Sequence, residues 1–118
     1  MTLDATNFAV AKLARDLETI KRAVAEAVGL TVAGLLAPSR REPLVTHRQM
    51  AMLICREMTP GSFPDIAAAF GKDDHNTVIH ACHAAFDKAE TDKATNETLI
   101  RLRRVAKEAL ENESSSRK

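Results

Sequence analysis

Residues 62–82 restrict the chain to a narrow set of folds. Ser62 and Asp65 have the spacing of a capping box, with Pro64 in a first turn where a missing N–H costs nothing. Ile66, Ala69 and Phe70 supply one apolar face before Gly71 marks a turn. Asp74 then has the chemistry of an N-cap, which makes His75, Asn76 and Thr77 the first three residues of a second helix. Val78, Ala81, Cys82, Ala85 and Phe86 follow at i, i+3, i+4, i+7 and i+8, a stripe that fixes this helix from behind while its leading end projects. Two helices joined in this way form a helix-turn-helix, whose second helix presents its N-terminal residues to a major groove.

The composition fits a helical setting for that pair. Hydrophobic residues make up 45% of the 118, yet aromatics only 3%, with no Trp or Tyr, so the core is aliphatic. Four Gly and four Pro are too few for the turns of an all-β domain. We expect an all-α fold. The net charge is only +1, so a nucleic-acid surface must arise from local placement of charge. Cys55 and Cys82 sit on apolar helical faces and read as buried, reduced thiols. No run reaches the ~20 apolar residues of a membrane span, and no signal peptide is evident, so a cytoplasmic protein with no membrane partner is expected.

Upstream, residues 6–28 read as a long helix capped at Thr6 or Asn7. Its stripe is Val10, Leu13, Leu17, Ile20, Val24 and Val28, and Lys12, Arg15, Lys21 and Arg22 lie on the outer face. Gly29 stops it, and Thr31 caps a short helix over residues 32–36. Between Pro38 and Pro43, Arg40 and Arg41 lie on a short loop, which serves either as plain exposed surface or as a contact for a minor groove or phosphates. Thr46 and Gln49 have capping-box spacing for a helix running to about Met58, with Met50, Ile54, Cys55 and Met58 inward. Arg48 and Gln49 fall in its first turn, with Arg56 two turns on; an Arg beside free backbone N–H groups is a seat for phosphate.

Downstream, the charged residues 87–94 read as a connection or frayed end. Thr95 or Asn96 begins a last helix with Leu99, Leu102, Val105, Ala106 and Ala109 inward. A disordered tail is expected from about Asn112. His80, Cys82 and His83 lack a second ligand pair at zinc spacing, so no metal is expected. No nucleophile or carboxylate pair converges, so neither a cofactor nor an enzyme is expected.

Asn pairs with adenine through two bonds, His donates to guanine or phosphate, and a Thr methyl touches that of thymine. Asn76, His75 and Thr77, with Arg40, Arg48, Gln49, Arg56 and Lys72, combine reading and positioning groups beyond what capping by Asp74 requires. Residues 20–86 resemble the C-terminal DNA-binding domain of the bacterial replication initiator DnaA. The resemblance is carried by His47-Arg48-Gln49-Met50-Ala51-Met52, by Ser62-Phe63-Pro64-Asp65-Ile66, and by the run from Phe70 through Gly71-Lys72-Asp73-Asp74-His75-Asn76-Thr77-Val78-Ile79-His80-Ala81 to Cys82. It implies a fold like that of the Trp repressor, here with an extended N-terminal helix and a C-terminal helix, binding a short double-stranded DNA site. By position, the resemblance puts Arg40 in the minor groove and Arg48, Gln49 and Arg56 on the backbone or bases. It puts Asp74, His75, Asn76 and Thr77 in the major groove, with Ser62, Pro64 and Lys72 near phosphates.

The sequence departs from the family pattern at Asp73, where Arg is usual, at Asn76, where Thr is usual, and at Glu42 in the arginine loop. Weaker binding or a shifted base preference is expected. The phosphate loop Gly-x-x-x-x-Gly-Lys-Ser/Thr is absent from the 118 residues, so the expectation is a stand-alone reader of DnaA-box-like sites without ATPase activity. It would regulate transcription or modulate replication initiation, as a monomer, with replication proteins as further partners. The other reading is an interaction module that has lost DNA binding and contacts replication proteins through residues 1–28 or the last helix. The expected division is a helical extension over 1–19, the helix-turn-helix domain over 20–112, and a tail over 113–118.

Overall fold

A computed structural model describes residues 5–115, with side chains over 7–113. Its elements are six helices with no strand among the described residues. They are α1 (Ala5–Ala27), α2 (Val32–Leu36), α3 (Leu44–Met58), α4 (Phe63–Ala69), α5 (His75–Thr91) and α6 (Lys93–Ser115). The all-α expectation holds.

Helix α3 is the hub, touching every other helix. Six consecutive residues, Met50 to Cys55, are buried, which no one-sided stripe produces. A helix that is apolar all round belongs inside a core rather than on its surface. Ile20 and Val24 of α1, Leu35 of α2, Ile66 of α4, Val78 of α5 and Leu99 and Leu102 of α6 close around it. Phe70 is the one fully buried aromatic ring in this cluster; Phe8 and Phe86 are exposed.

Helices α1 and α6 run antiparallel along one side. Arg101 near the start of α6 donates to the Ala27 carbonyl at the end of α1 (3.3 Å). Towards the other end, Thr19 bonds to Glu113 and Arg15 lies 3.9 Å from the same carboxylate. On α3's outer edge, Arg103 of α6 makes a two-bond pair with Glu57 (2.9 and 2.7 Å).

Several local expectations are corrected. Helix α1 is under way at Ala5, so neither Thr6 nor Asn7 begins it. Val10 is exposed, because the first turns of α1 run beyond the neighbours that bury Leu17 and Ile20. Lys21 is not on the outer face: it is 4% exposed, and its ammonium donates to the Ala69 carbonyl at the end of α4 (2.6 Å). Glu18 at 2.8 Å and the Phe70 ring complete its surroundings, so a cation sits where the last carbonyls of α4 carry partial negative charge. Helix α3 begins at Leu44, ahead of the expected Thr46–Gln49 box. The Glu42 carboxylate accepts from the Thr46 N–H (3.0 Å) and hydroxyl (2.6 Å) instead.

Residues 87–94 are not a connection. Helix α5 continues to Thr91, Asp92 alone interrupts, and α6 starts at Lys93. Asp92 caps α6 by accepting from the Thr95 N–H (3.1 Å), so neither Thr95 nor Asn96 is the first helical residue. Helix α6 also runs to Ser115, through the start of the expected tail; residues 116–118 lie outside the described residues.

Leu102 of α6 is fully buried in the core cluster. Leu102→Ala is expected to lower unfolding free energy by about 2–5 kcal/mol, as large-to-small core changes do. Urea titration followed by helical circular dichroism measures it; a shift under 1 kcal/mol, roughly the scale of a surface change, would contradict the packing described.

Candidate nucleic-acid interface

The 62–82 segment folds as a helix-turn-helix. Both bonds of the capping box are present: the Asp65 N–H donates to the Ser62 hydroxyl (3.1 Å), and the Ser62 N–H donates to the Asp65 carboxylate (2.9 Å). Helix α4 ends in a Schellman arrangement, with the Lys72 N–H on the Ala67 carbonyl (2.8 Å) and the Gly71 N–H on the Ala68 carbonyl (3.1 Å). Gly71 sits at φ +70°, a left-handed conformation that disfavours any Cβ. Asp74 caps α5 by accepting from the Asn76 N–H (2.9 Å). His75, Asn76 and Thr77 are exposed at the leading end, while Val78 behind them is fully buried. Ala81, Cys82, Ala85 and Ala89 continue the buried stripe, and the exposed Phe86 is not part of it.

The arginines divide into free and engaged. Arg40 and Arg41 are exposed on the loop. Arg48 is half-buried and donates to the Ala37 (2.7 Å) and Ser39 (2.9 Å) carbonyls, tying the loop to α3. A guanidinium has five N–H groups, so these two bonds leave donors available. Arg56 donates to the Gly61 carbonyl (2.7 Å) and lies over the Phe63 ring at 4.6 Å, which braces the start of α4 beside the exposed Ser62 and Pro64.

Four of the residues singled out from sequence meet in one cleft of about 440 Å³ between α3 and α5: Arg48, Gln49, Lys72 and Thr77. Val45, Met52, His80, Ala81 and Ala84 complete its walls and were not among the sequence candidates. Arg56, Ser62 and Pro64 form a separate group, and Arg40 stands apart on its loop. Asp73 and Asp74 put two exposed carboxylates at the start of α5. They suit the positive end of the helix dipole and oppose an incoming phosphate.

A second cluster lies beside the cleft. Lys88, in the last turn of α5, bonds through its ammonium to Glu42 (3.0 Å), the Thr46 hydroxyl (3.0 Å) and the Gln49 Oε1 (2.8 Å). The Thr46 hydroxyl above all, opposed by burial and helped by Lys88 and the Thr46 N–H, holds the Glu42 carboxyl below its ordinary value. Burial, reinforced by the charge of Arg101, pushes the His47 imidazole down, with Glu42 opposing. Burial also raises the Cys55 thiol to about 12 and the Cys82 thiol to about 11, so both are poor nucleophiles at neutral pH. Among the described residues, no group of three His, Cys, Asp or Glu is placed to hold a metal, and no helix is long and apolar enough to cross a membrane.

An exposed, capped leading end on a helix fixed from behind, beside a cleft lined by Arg and Lys, defines a helix-turn-helix domain of the DNA-binding class rather than an ATPase unit. Residues 17–84 match the family described as bacterial dnaA protein helix-turn-helix, and the chain belongs to that family. Its relatives include the chromosomal replication initiator protein DnaA of Acinetobacter baumannii and that of Acinetobacter baylyi, each 38% identical over 89 residues. Those alignments cover 75% of this chain and 19% of each relative.

Two outcomes test this geometry. A Cβ at Gly71 meets nothing within 4 Å, so Gly71→Ala carries only backbone strain, about 1–2 kcal/mol, and Gly71→Asn should cost less. Thermal melts of the two variants should therefore rank in that order. Glu42 has a folded pKa below its unfolded value, so its stabilising contribution is complete above about 4.5 and is lost as pH falls through the folded value. The melting-temperature gap between wild type and Glu42→Gln should accordingly close on acidification below pH 4.5; a gap that widens would refute the linkage.

Proposed function

We propose that this domain binds double-stranded DNA sequence-specifically at DnaA-box-like sites. In this reading it regulates transcription or modulates replication initiation by occupying such sites, with no ATPase activity of its own. The supporting observation is the exposed His75–Asn76–Thr77 end of α5 next to the cleft that gathers Arg48, Gln49 and Lys72. Reading and positioning groups then lie within one footprint. Arg40 extends the footprint from its loop into a minor groove, and Arg56, Ser62, Pro64 and Asp74 flank it. The domain acts in the cytoplasm, at the nucleoid, as a monomer. Residues 1–19 extend the reader domain at its N-terminal side; of these, 5–19 are the first part of α1, and 1–4 lie outside the described residues.

Titration of box-containing and scrambled duplexes at physiological salt tests the reading; equal affinity for the two removes sequence specificity. Arg48→Ala should weaken binding to every duplex and lower the salt slope by about 1. Asn76→Ala should act differently, lowering discrimination at one base pair by about 1–3 kcal/mol and leaving the other positions as they were.

A second reading, a module that binds replication proteins without DNA, draws on Phe8 and Val10, which are 60% and 63% exposed on α1. A pull-down of replication proteins that survives replacement of both Arg48 and His75, together with no duplex binding, favours it over the first.

A further inference from the structure

The Lys88 cluster joins the arginine loop and the start of α3 to a residue 39 to 46 positions further along the chain. Glu42 belongs to the arginine loop, Thr46 and Gln49 to the first turns of α3, and Lys88 to the far end of the helix that carries His75, Asn76 and Thr77. An ammonium has three protons and no lone pair, so it only donates. With Glu42, Thr46 and Gln49 as its three acceptors, its hydrogen-bonding capacity is filled. The consequence falls on Gln49. Its Oε1 is held against Lys88 at 2.8 Å, which turns the Nε2 end of the same amide away from the ammonium. Gln49 also lines the cleft between α3 and α5.

We propose that Lys88 is a positioning residue that holds the Gln49 Oε1 towards α5 and turns its Nε2 outward, so that Gln49 meets DNA as a donor and selects hydrogen-bond acceptors over the two-bond pair with adenine. A free glutamine presents a donor and an acceptor side by side, which matches adenine N6 and N7. Lys88 takes one of the two lone pairs of Oε1 and holds that oxygen at α5, so the end of the amide turned away from the ammonium offers the two N–H groups of Nε2. Their partners are acceptors: guanine O6 or N7 on a base edge, or a phosphate oxygen on the backbone. The same grip fixes the loop that carries Arg40 to α5 through Glu42, so the minor-groove and major-groove elements keep one spacing. This inference rests on the domain binding DNA as proposed above.

The test is the double variant Glu42→Gln/Lys88→Met, which breaks the latch without changing net charge, so that no stray carboxylate is left facing DNA. Bound sequences are selected from a random duplex pool and the best sites are titrated. If Gln49 meets a base edge, the double variant should gain adenine at one position by about tenfold, the scale of a bidentate contact, while Lys88→Arg keeps the wild-type preference. If it meets a phosphate, affinity should fall by a similar factor for every sequence, salt slopes should change in step with those of Gln49→Ala, and Lys88→Arg should again behave as wild type. Unchanged preference and affinity in the double variant, with Gln49→Ala still impaired, would overturn the proposal, as would a Gln49→Ala that binds like wild type. The latch also has a readout without DNA. The side-chain amide NMR signals of Gln49 should move in Lys88→Met and stay in place in Lys88→Arg; signals unmoved by Lys88→Met overturn it. A wild-type protein that binds no duplex defeats the DNA-binding reading instead, and is recognised before any variant is compared.

Discussion

The structure depends on the complete burial of the middle of α3. Residues 50–55 have no solvent-facing side, so every other helix must cover part of that cylinder. The requirement explains why a short helix such as α4 is stable at all. Seven residues form no lasting helix in water. This one persists because Ile66 and Ala67 cover α3 and α5 from one side, and both of its ends are satisfied by side chains and the Gly71 turn. The leading end of α5 is held out to solvent for the same reason: Val78, Ala81, Cys82 and Ala85 are drawn onto α3, and the three residues ahead of them have nothing left to cover.

Local chemistry is readable from the chain, and long-range geometry is not. The capping box of Ser62 and Asp65, the cap at Asp74 and the left-handed Gly71 all depend on neighbours within a few positions, and all are found. The start of α3 is misread from sequence because two capping residues compete. Thr46 and Gln49 have the right spacing, but Glu42 reaches Thr46 first, and Gln49 is taken by a lysine 39 positions away. Lys21 is misplaced for a similar reason, since its partner carbonyl lies 48 residues along the chain. Periodicity places a residue on a face; it carries no information about which neighbour waits there. Val10 and Phe86 show the converse, apolar residues in phase with a stripe whose neighbours have run out.

Much the same holds for the interface. The residue types at the leading end of α5 mark the candidate interface, and the family match over residues 17–84 agrees with the part of the chain that carries the motifs. That Arg48 spends two donors on its own loop, and that Arg56 braces α4, emerges only from coordinates. With a net charge of +1, the protein places its cations by such ties rather than by excess. An arginine held by backbone carbonyls meets a ligand with its side-chain entropy already reduced, so less ordering is required on contact.

The single-residue joint at Asp92 has a consequence for how the chain tolerates change in length. With one non-helical residue between α5 and α6, the angular phase of one helix is handed directly to the next. Adding a residue on the α6 side would rotate the remainder of that helix by about 100° per position. Leu99, Leu102 and Ala106 would then swing out of the core, and Arg103 would part from Glu57. Insertions and deletions are therefore disfavoured at the joint between α5 and α6.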